Sequence, residues 1–210
     1  MIASTRLVLV RHGETIWHAD NRYAGGSSDI DLTEFGKRQA QELAAWAGTE
    51  HFDAVAVSPV RRALETARPS AAALGLPLEI VDDLREVDFG VAEGHTVDEL
   101  LSLDADMVHR FRADPAAHPY PGSESPVHAA RRAESALRGV CKQFPGGTVL
   151  VVAHNTLLRL ALCALLDLPV ERYRQLFPRL ENAAVTEVLV PADPDRPAAL
   201  LRLNAPVGPP

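Results

Sequence analysis

Short runs of apolar residues divide the chain into predicted strands that alternate with predicted helices. The runs at 6–10, 53–58 and 148–153 are almost continuously apolar, which is typical of strands buried on both faces of a sheet. Two later strands are predicted at 183–190 and 198–204, on either side of a turn-rich segment. Because strands alternate with helices, we predict an α/β fold: a three-layer sandwich with a mostly parallel sheet.

The segments between these strands carry signals for helices. Thr33 is a predicted N-cap for a helix over 34–47, and Ser58 followed by Pro59 predicts the cap and first residue of a second helix. Pro69 predicts a kink or a split in that second helix. Further helices are predicted at 97–112, at 126–143 and directly after His154.

The length of 210 residues suits a single domain over 1–210. The segment at about 86–128 is too long for an ordinary connection, so we predict that it is a cap inserted over one edge of the sheet. Ligands of such sheets bind outside the carboxyl ends of the strands. His12 directly follows the first predicted strand, so it is expected at the binding edge.

Composition and charge narrow the classes of partner. Hydrophobic residues make up 47% of the chain, and the formal net charge is −7. An acidic chain argues against nucleic acid as a partner, because phosphate backbones demand a basic surface, but a small phosphorylated ligand needs only a local cluster of cations. Cys141 and Cys163 form no CxxC pair, and no apolar run reaches membrane length. We therefore expect a cytoplasmic location and no membrane partner.

Polar side chains that could bind a ligand or take part in a reaction follow the predicted strands. Arg11 and His12 follow the first strand, Arg62 lies in the helix after the second, and His154 follows the third. Glu86 follows a fourth predicted strand. Taken alone, each of these residues fits an ordinary role as a solvated surface side chain or as a structural hydrogen-bonding group. Their shared position at one sheet edge, with helix N-termini whose free N–H groups favour anions, instead indicates an anion site.

The segments around these residues resemble those of the histidine phosphatase superfamily, also called phosphoglycerate mutase-like. The segment "LVLVRHGETIW" is similar to the signature strand and loop, and "SPVRRALETA" is similar to a family segment that selects Arg62 over Arg61. The segment "LREVDFGVAEG" matches one that carries the acid, here Glu86. The chain departs from the family pattern at His18 and Asn155, where Asn and Gly are common, which leaves the substrate open rather than the reaction.

The resemblance implies a reaction through a covalent phosphohistidine. His12 is then the nucleophile, and Arg11 and Arg62 hold the phosphate oxygens bidentately. His154 donates to the phosphoryl oxygens, while Glu86 protonates the leaving group and then activates water. No metal or other cofactor is expected, since the chain has no HExxH or comparable ligand cluster and the arginines supply the positive charge.

Four further residues are candidates for binding the substrate. His18 lies in the signature loop, within expected reach of the phosphate, and Asn155 follows the second histidine. The resemblance places Ser123 and Glu124 near the pocket, as part of the cap loop.

Three functions fit the sequence. The first is a phosphatase acting on a small phosphorylated metabolite, which "VDFGVAEG" favours by its resemblance to the phosphatase branch. The second is a phosphoglycerate mutase, for which the chain is short. The third is a non-catalytic regulatory protein that binds a phospholigand, and retention of both a nucleophile and an acid argues against it. The substrate and the oligomeric state stay open, a homodimer being one of the states.

Overall fold

The computed structural model describes residues 4–207, which form one central sheet with helices on both faces. The strands in this part of the chain are β1 (Ser4–Arg11), β2 (Ala54–Val57), β3 (Leu78–Ile80), β4 (Thr148–Ala153), β5 (Val185–Pro191) and β6 (Ala199–Ala205). The helices are α1 (Glu34–Ala47), α2 (Arg61–Leu74), α3 (Val97–Leu103), α4 (Ala105–Ala113), α5 (Pro126–Gln143), α6 (Asn155–Leu165) and α7 (Tyr173–Leu176).

The strand order is β3-β2-β4-β1-β5-β6. Parallel pairing joins the first four strands, whereas β5 is antiparallel to β1 and β6 is antiparallel to β5. The prediction of a mostly parallel sheet in an α/β fold is therefore confirmed. The carboxyl ends of β1, β2 and β4 meet at the same edge, which brings the residues that follow them together.

The alternation of side chains along β1 explains the three layers. Leu7 and Leu9 belong to one buried cluster, shared with α5, α6 and the residues between β3 and α5. Val8 and Val10 belong to a second cluster on the opposite face, shared with α1 and α2. Successive residues of a strand point to opposite faces, so a continuously apolar strand is buried twice.

The predicted helix starts are confirmed for α1 but not for α2. The Thr33 hydroxyl accepts a hydrogen bond from the N–H of Gly36, as an N-cap does. The prediction that Ser58 caps α2 is wrong: α2 begins at Arg61, and its N-cap residue is Val60. The Ser58 hydroxyl instead accepts a bond from the N–H of Val60 and contacts a histidine across the sheet. α2 is also not split at its internal proline.

The connection between β3 and α5 holds two helices where one was predicted. Asp104 separates α3 from α4 and caps α4, because its side chain accepts a bond from the N–H of Met107. Aromatic rings anchor this connection to the loop after β1: the Tyr23 ring lies 5.2 Å from the Phe89 ring and 5.4 Å from the Tyr120 ring. Within residues 4–207, no helix is long and apolar enough to cross a membrane.

Candidate active site

The His12 side chain presents an unprotonated nitrogen beside a guanidinium group. Its Nδ1 lies 2.7 Å from the carbonyl oxygen of Gly13, and since a carbonyl only accepts, Nδ1 carries the proton. Nε2 therefore keeps its lone pair, which accepts a bond from Nε of Arg62 at 3.2 Å. Burial, followed by the charges of Arg62 and other nearby groups, holds the pKa of His12 well below its usual value of 6.5. The imidazole is thus neutral and nucleophilic at physiological pH.

The Arg62 side chain is fully buried, and its donors are directed to the protein. Besides the bond to His12, it donates to the carbonyl oxygens of Ala24, Gly25 and Ser28, at distances of 2.8–3.2 Å. These bonds occupy four of the five N–H groups of a guanidinium. A bidentate hold of Arg62 on phosphate, as predicted from the sequence, therefore requires that bonds to this loop break.

The carboxylate of Glu93 secures the same loop from the other side. It accepts bonds from the N–H of Gly25, the hydroxyl of Ser28 and the N–H of Phe89. A Cβ atom at position 25 would overlap this carboxylate and would lie 2.7 Å from the backbone oxygen of Val87, so only glycine fits there. The loop over residues 24–28 is thus held between Glu93 and Arg62.

The His154 side chain is fully buried directly behind His12. The ring centroids lie 5.2 Å apart, and His154 Nε2 lies 2.7 Å from the Ser58 hydroxyl. No partner within residues 4–207 contacts Nδ1 of His154, although that atom is buried. Burial and the charges of Arg62 and Arg11 lower the pKa of His154 well below 6.5, so this ring is neutral as well.

The Glu86 carboxyl group occupies the N-terminus of α6. It accepts bonds from the N–H groups of Thr156 and Leu157, at 3.0 and 2.8 Å, and from its neighbour Val87. The sequence predicted that the N–H groups at this helix start are free to bind a ligand anion. That prediction is wrong for α6, because these N–H groups bind the Glu86 carboxyl group instead. Burial nevertheless raises the pKa of Glu86, with the three backbone bonds opposing the shift. A raised pKa suits a group that must carry a proton.

Arg11 and His18 form the outer part of the site. The Arg11 guanidinium donates to the carbonyl oxygen of Leu180 at 2.8 Å, and its Nη2 lies 2.6 Å from Nε2 of His18. Burial lowers the pKa of Arg11 to about 10, so the group stays charged. Burial and the charge of Arg11 lower the pKa of His18 to about 4. The structure therefore places His18 in contact with Arg11, which is predicted to bind phosphate, and the His18 ring is neutral.

A cavity of about 630 Å³ opens above His12, and its size suits a small molecule. Asn155 lines it, and its side chain also accepts a bond from the N–H of Leu180. Ser123 and Glu124 do not line it. Glu124 is turned away because it forms an ion pair with Arg132 at 2.7 Å, and the Ser123 hydroxyl donates to a backbone carbonyl. The two residues predicted as substrate contacts therefore lie outside the cavity lining.

Sequence reasoning missed several polar residues that line the cavity. Asn182 lies in the loop before β5, and its amide donates to the carbonyl oxygen of His12 at 2.7 Å. Arg159 lies in an apolar stretch of α6 that the sequence assigns wholly to the core, but it is four residues after Asn155 and so shares its helix face. A single cation inside an apolar helix was the available signal. The other missed arginines are Arg22, Arg112, Arg174 and Arg179.

Within residues 4–207, no group of three or more His, Cys, Asp or Glu side chains is arranged to hold a metal ion. That the reaction needs no metal ion stays a prediction.

The carboxyl ends of the strands bring two neutral imidazoles, two guanidinium groups and a carboxyl of raised pKa close together. His12, Arg11 and Glu86 line the cavity, whereas Arg62 and His154 are fully buried and are not part of its lining. This arrangement at the edge of an open α/β sheet defines a protein that binds phosphate esters. The chain belongs to the histidine phosphatase superfamily (branch 1), whose family model matches residues 7–204.

Named relatives include both phosphatases and mutases. The chain is 34% identical to phosphoserine phosphatase 1 of Hydrogenobacter thermophilus over 168 residues, which cover 80% of this chain and 79% of the relative. It is 34% identical, over 87% of its length and 84% of the relative's, to a probable phosphoglycerate mutase of Yersinia pestis.

The chain also superposes on solved structures of phosphatases. A mycobacterial glucosyl-3-phosphoglycerate phosphatase superposes with a TM-score of 0.87 at 29% identity, covering 96% of this chain and 99% of that one. A phosphoserine phosphatase from Entamoeba histolytica, in complex with 3-phosphoglyceric acid, superposes with a TM-score of 0.83 at 28% identity, covering 96% and 97%.

Proposed function

We propose that this protein is a phosphatase that hydrolyses a small phosphorylated metabolite through a phosphohistidine on His12. The observation that carries the proposal is the geometry of His12: a buried neutral ring with its Nδ1–H bonded to Gly13 and its Nε2 beside the Arg62 guanidinium. A site that only binds phosphate needs neither a nucleophilic nitrogen nor a protonatable carboxyl. The presence of Glu86 in the same cavity therefore favours an enzyme.

In the first step, Nε2 of His12 attacks phosphorus and the bond from phosphorus to the ester oxygen breaks. Arg62 Nε–H releases the Nε2 lone pair and turns to a phosphate oxygen, while Arg11 neutralises further phosphate charge. The leaving oxygen departs as an alkoxide unless it gains a proton, and Glu86 supplies that proton. The predicted bond from His154 to a phosphoryl oxygen requires this buried ring to move into the cavity and Nε2 to leave the Ser58 hydroxyl.

In the second step, water replaces the alcohol. Glu86, now a carboxylate, takes a proton from that water as its oxygen attacks phosphorus, and the bond from phosphorus to Nε2 breaks. Inorganic phosphate leaves, and His12 and Glu86 return to their first protonation states. Splitting the displacement in this way replaces one difficult step by two easier ones.

The mutase alternative rests on the relatives named probable phosphoglycerate mutase. A mutase returns the phosphoryl group to an alcohol, whereas a phosphatase gives it to water. The named phosphatases among both the relatives and the solved structures favour water as the acceptor.

A phosphate-release screen over sugar phosphates, phosphoglycerates, nucleotides and phosphoamino acids tests the proposal. We expect the wild-type protein to release phosphate and to form an acid-labile, base-stable phosphoenzyme, and we expect His12→Ala to do neither. If His12→Ala still forms that phosphoenzyme, another imidazole is the nucleophile. Conversion of 3-phosphoglycerate to 2-phosphoglycerate without phosphate release would establish the mutase instead.

We also propose that residues 86–128 act as the cap of a single domain, and that the protein lies in the cytoplasm. The two buried free cysteines, Cys141 and Cys163, support a reducing compartment. Cell fractionation tests the location.

A further inference from the structure

The side chain of Arg159 is buried but only partly satisfied. It is 3% exposed, and its Nε donates to the carbonyl oxygen of Phe177. Its guanidinium lies 4.9 Å from the centre of the Tyr173 ring. No acceptor within residues 4–207 hydrogen-bonds to its Nη1 or Nη2, and no carboxylate there pairs with it, although the residue lines the cavity.

Such a group is costly to the folded protein unless something pairs with it. Burial lowers the pKa of Arg159 to about 10, which leaves the group charged at physiological pH. Packing on Tyr173 explains the position of the side chain, but it does not supply acceptors for the four Nη–H groups. Acceptors that enter from the cavity do supply them.

Two more arginines on different helices lack a carboxylate partner at the same cavity. Arg112 lies on α4 and Arg174 on α7, and both are exposed. The Arg174 guanidinium lies 5.4 Å from the centre of the Phe111 ring, so it sits against the residue that precedes Arg112. The charge of Arg174 also contributes to lowering the pKa of Arg159. These three arginines form what we term the outer cation cluster: Arg112, Arg159 and Arg174.

The charge at this cavity is opposite to that of the whole chain. The net charge of the protein is −7, yet arginines outnumber acids in the lining, where the acids are Glu14 and Glu86. Arg22 and Arg179 also line it, but they are paired with Glu99 and Glu181. The phosphate site uses Arg11 and Arg62, so the outer cation cluster is additional to it.

We propose that the outer cation cluster binds a second anionic group of the substrate, a carboxylate or a phosphate carried on the part that leaves as the alcohol. The proposal rests on the proposed function, which places the reacting phosphate at His12. It adds that the substrate is a small phosphomonoester with two anionic ends. Neutral alcohol phosphates are then poorer substrates, because they offer the outer cation cluster no anionic acceptor.

Matched substrate pairs measure this preference. 3-Phosphoglycerate and glycerol 1-phosphate differ by a carboxylate in place of a hydroxymethyl group. Propane-1,3-diol bisphosphate and its monophosphate differ by a second phosphate. We expect the wild-type kcat/KM to favour the doubly anionic member of at least one pair by about 10- to 100-fold, the range for hydrogen bonds to charged groups. The pair that shows the preference identifies the anion as carboxylate or phosphate.

Three variants assign the preference to the cluster. Arg159→Met puts an apolar side chain of similar length into an apolar helix, and we expect the preference to fall to about 1. Loss of the bond to the Phe177 carbonyl and removal of a buried charge have opposite effects on stability, so we expect the variant to fold. Arg112→Gln and Arg174→Gln are exposed changes, and each is expected to reduce the preference by about 2- to 5-fold. Arg131→Gln, on the exposed face of α5 outside the cavity, is the matched control and should change neither the rate nor the preference.

The outcomes separate this proposal from the proposed function. Loss of the wild-type preference in the cluster variants supports the outer site. A wild-type enzyme that hydrolyses p-nitrophenyl phosphate but prefers neither doubly anionic substrate overturns it, as does a preference that survives all three variants. If the wild type hydrolyses nothing, the proposed function fails. Calorimetric binding of 3-phosphoglycerate and glycerol 1-phosphate then decides on the outer site, because it needs no turnover.

Discussion

Replacing Glu86 by Gln removes the acidic proton from the site and keeps the shape of the side chain. The carboxyl oxygens accept three backbone N–H bonds, two at Oε1 and one at Oε2. A glutamine oxygen in the Oε1 position keeps the bonds from Val87 and Leu157, while its amide group opposes the N–H of Thr156. We therefore expect the loss of one hydrogen bond, a cost of about 1–3 kcal/mol in unfolding free energy, partly offset by the removal of a buried ionisable group.

The effect on the reaction is larger and depends on the leaving group. General acid catalysis is worth about 10²–10⁴-fold, so an alkyl phosphate should lose about 3–5 kcal/mol of transition-state stabilisation. An aryl phosphate leaves as a stabilised phenolate and needs less protonation, so its first step should be slowed less. The second step loses its base for both substrates, so the variant should accumulate phosphoenzyme and give a burst of the aryl alcohol.

Rapid-mixing kinetics with p-nitrophenyl phosphate, compared with steady-state rates on an alkyl phosphate, separate the two steps. Asp88→Asn is the matched control: Asp88 is an exposed acid two residues away, and among residues 4–207 its side chain accepts a bond only from Gly90. Wild-type rates on alkyl phosphates in Glu86→Gln would refute the assignment of the acid.

Three other predictions test separate parts of the mechanism. Activity on an aryl phosphate should survive excess chelator, because guanidinium groups supply the charge a metal would bring; loss with chelator and recovery with a divalent ion would contradict this. In the pH profile of the rate on an alkyl phosphate, the acid limb should lie below pH 6.5, because His12 must be neutral and its pKa is lowered. The alkaline limb should lie above pH 4.5, because Glu86 must carry a proton and its pKa is raised. Glu86→Gln should remove only the alkaline limb. Ser58→Ala should lower the unfolding free energy by about 1–3 kcal/mol in urea titrations, because Nε2 of His154 loses its partner, and unchanged stability would show that the bond is not needed.

Local sequence signals predicted most of the framework. The three apolar strands are continuously apolar and bounded by turns, so their burial on both faces follows from the residues themselves. The chemistry at their ends follows from the family motifs, which single out His12, Arg62 and Glu86. The cap of α2 was mispredicted because Ser58 makes a tertiary contact with His154, 96 positions away, and local capping rules do not include such partners.

The outer part of the cavity was less accessible to prediction. Glu124 was expected at the pocket, yet it pairs with Arg132 two helical turns along the chain, a geometry that depends on where α5 begins. Arg159 was assigned to the core, and its burial agrees with that; only the shape of the cavity shows that its guanidinium reaches the ligand space. The side chains that line the outer cavity come from separate helices that share no sequence motif. A single sequence therefore does not show that they lie close together.

The loop over 24–28 makes the nucleophile sensitive to changes at a distance from it. Because Arg62 bonds both to this loop and to His12, and because Glu93 fixes the loop from the opposite side, an insertion in the loop displaces the guanidinium that orients the imidazole. This segment therefore lacks the tolerance to length variation that surface loops usually have. For protein engineering, the 24–28 segment, Glu93 and Arg62 form one exchangeable unit: grafting the loop of a relative without its two anchors should yield a folded protein with a misaligned nucleophile.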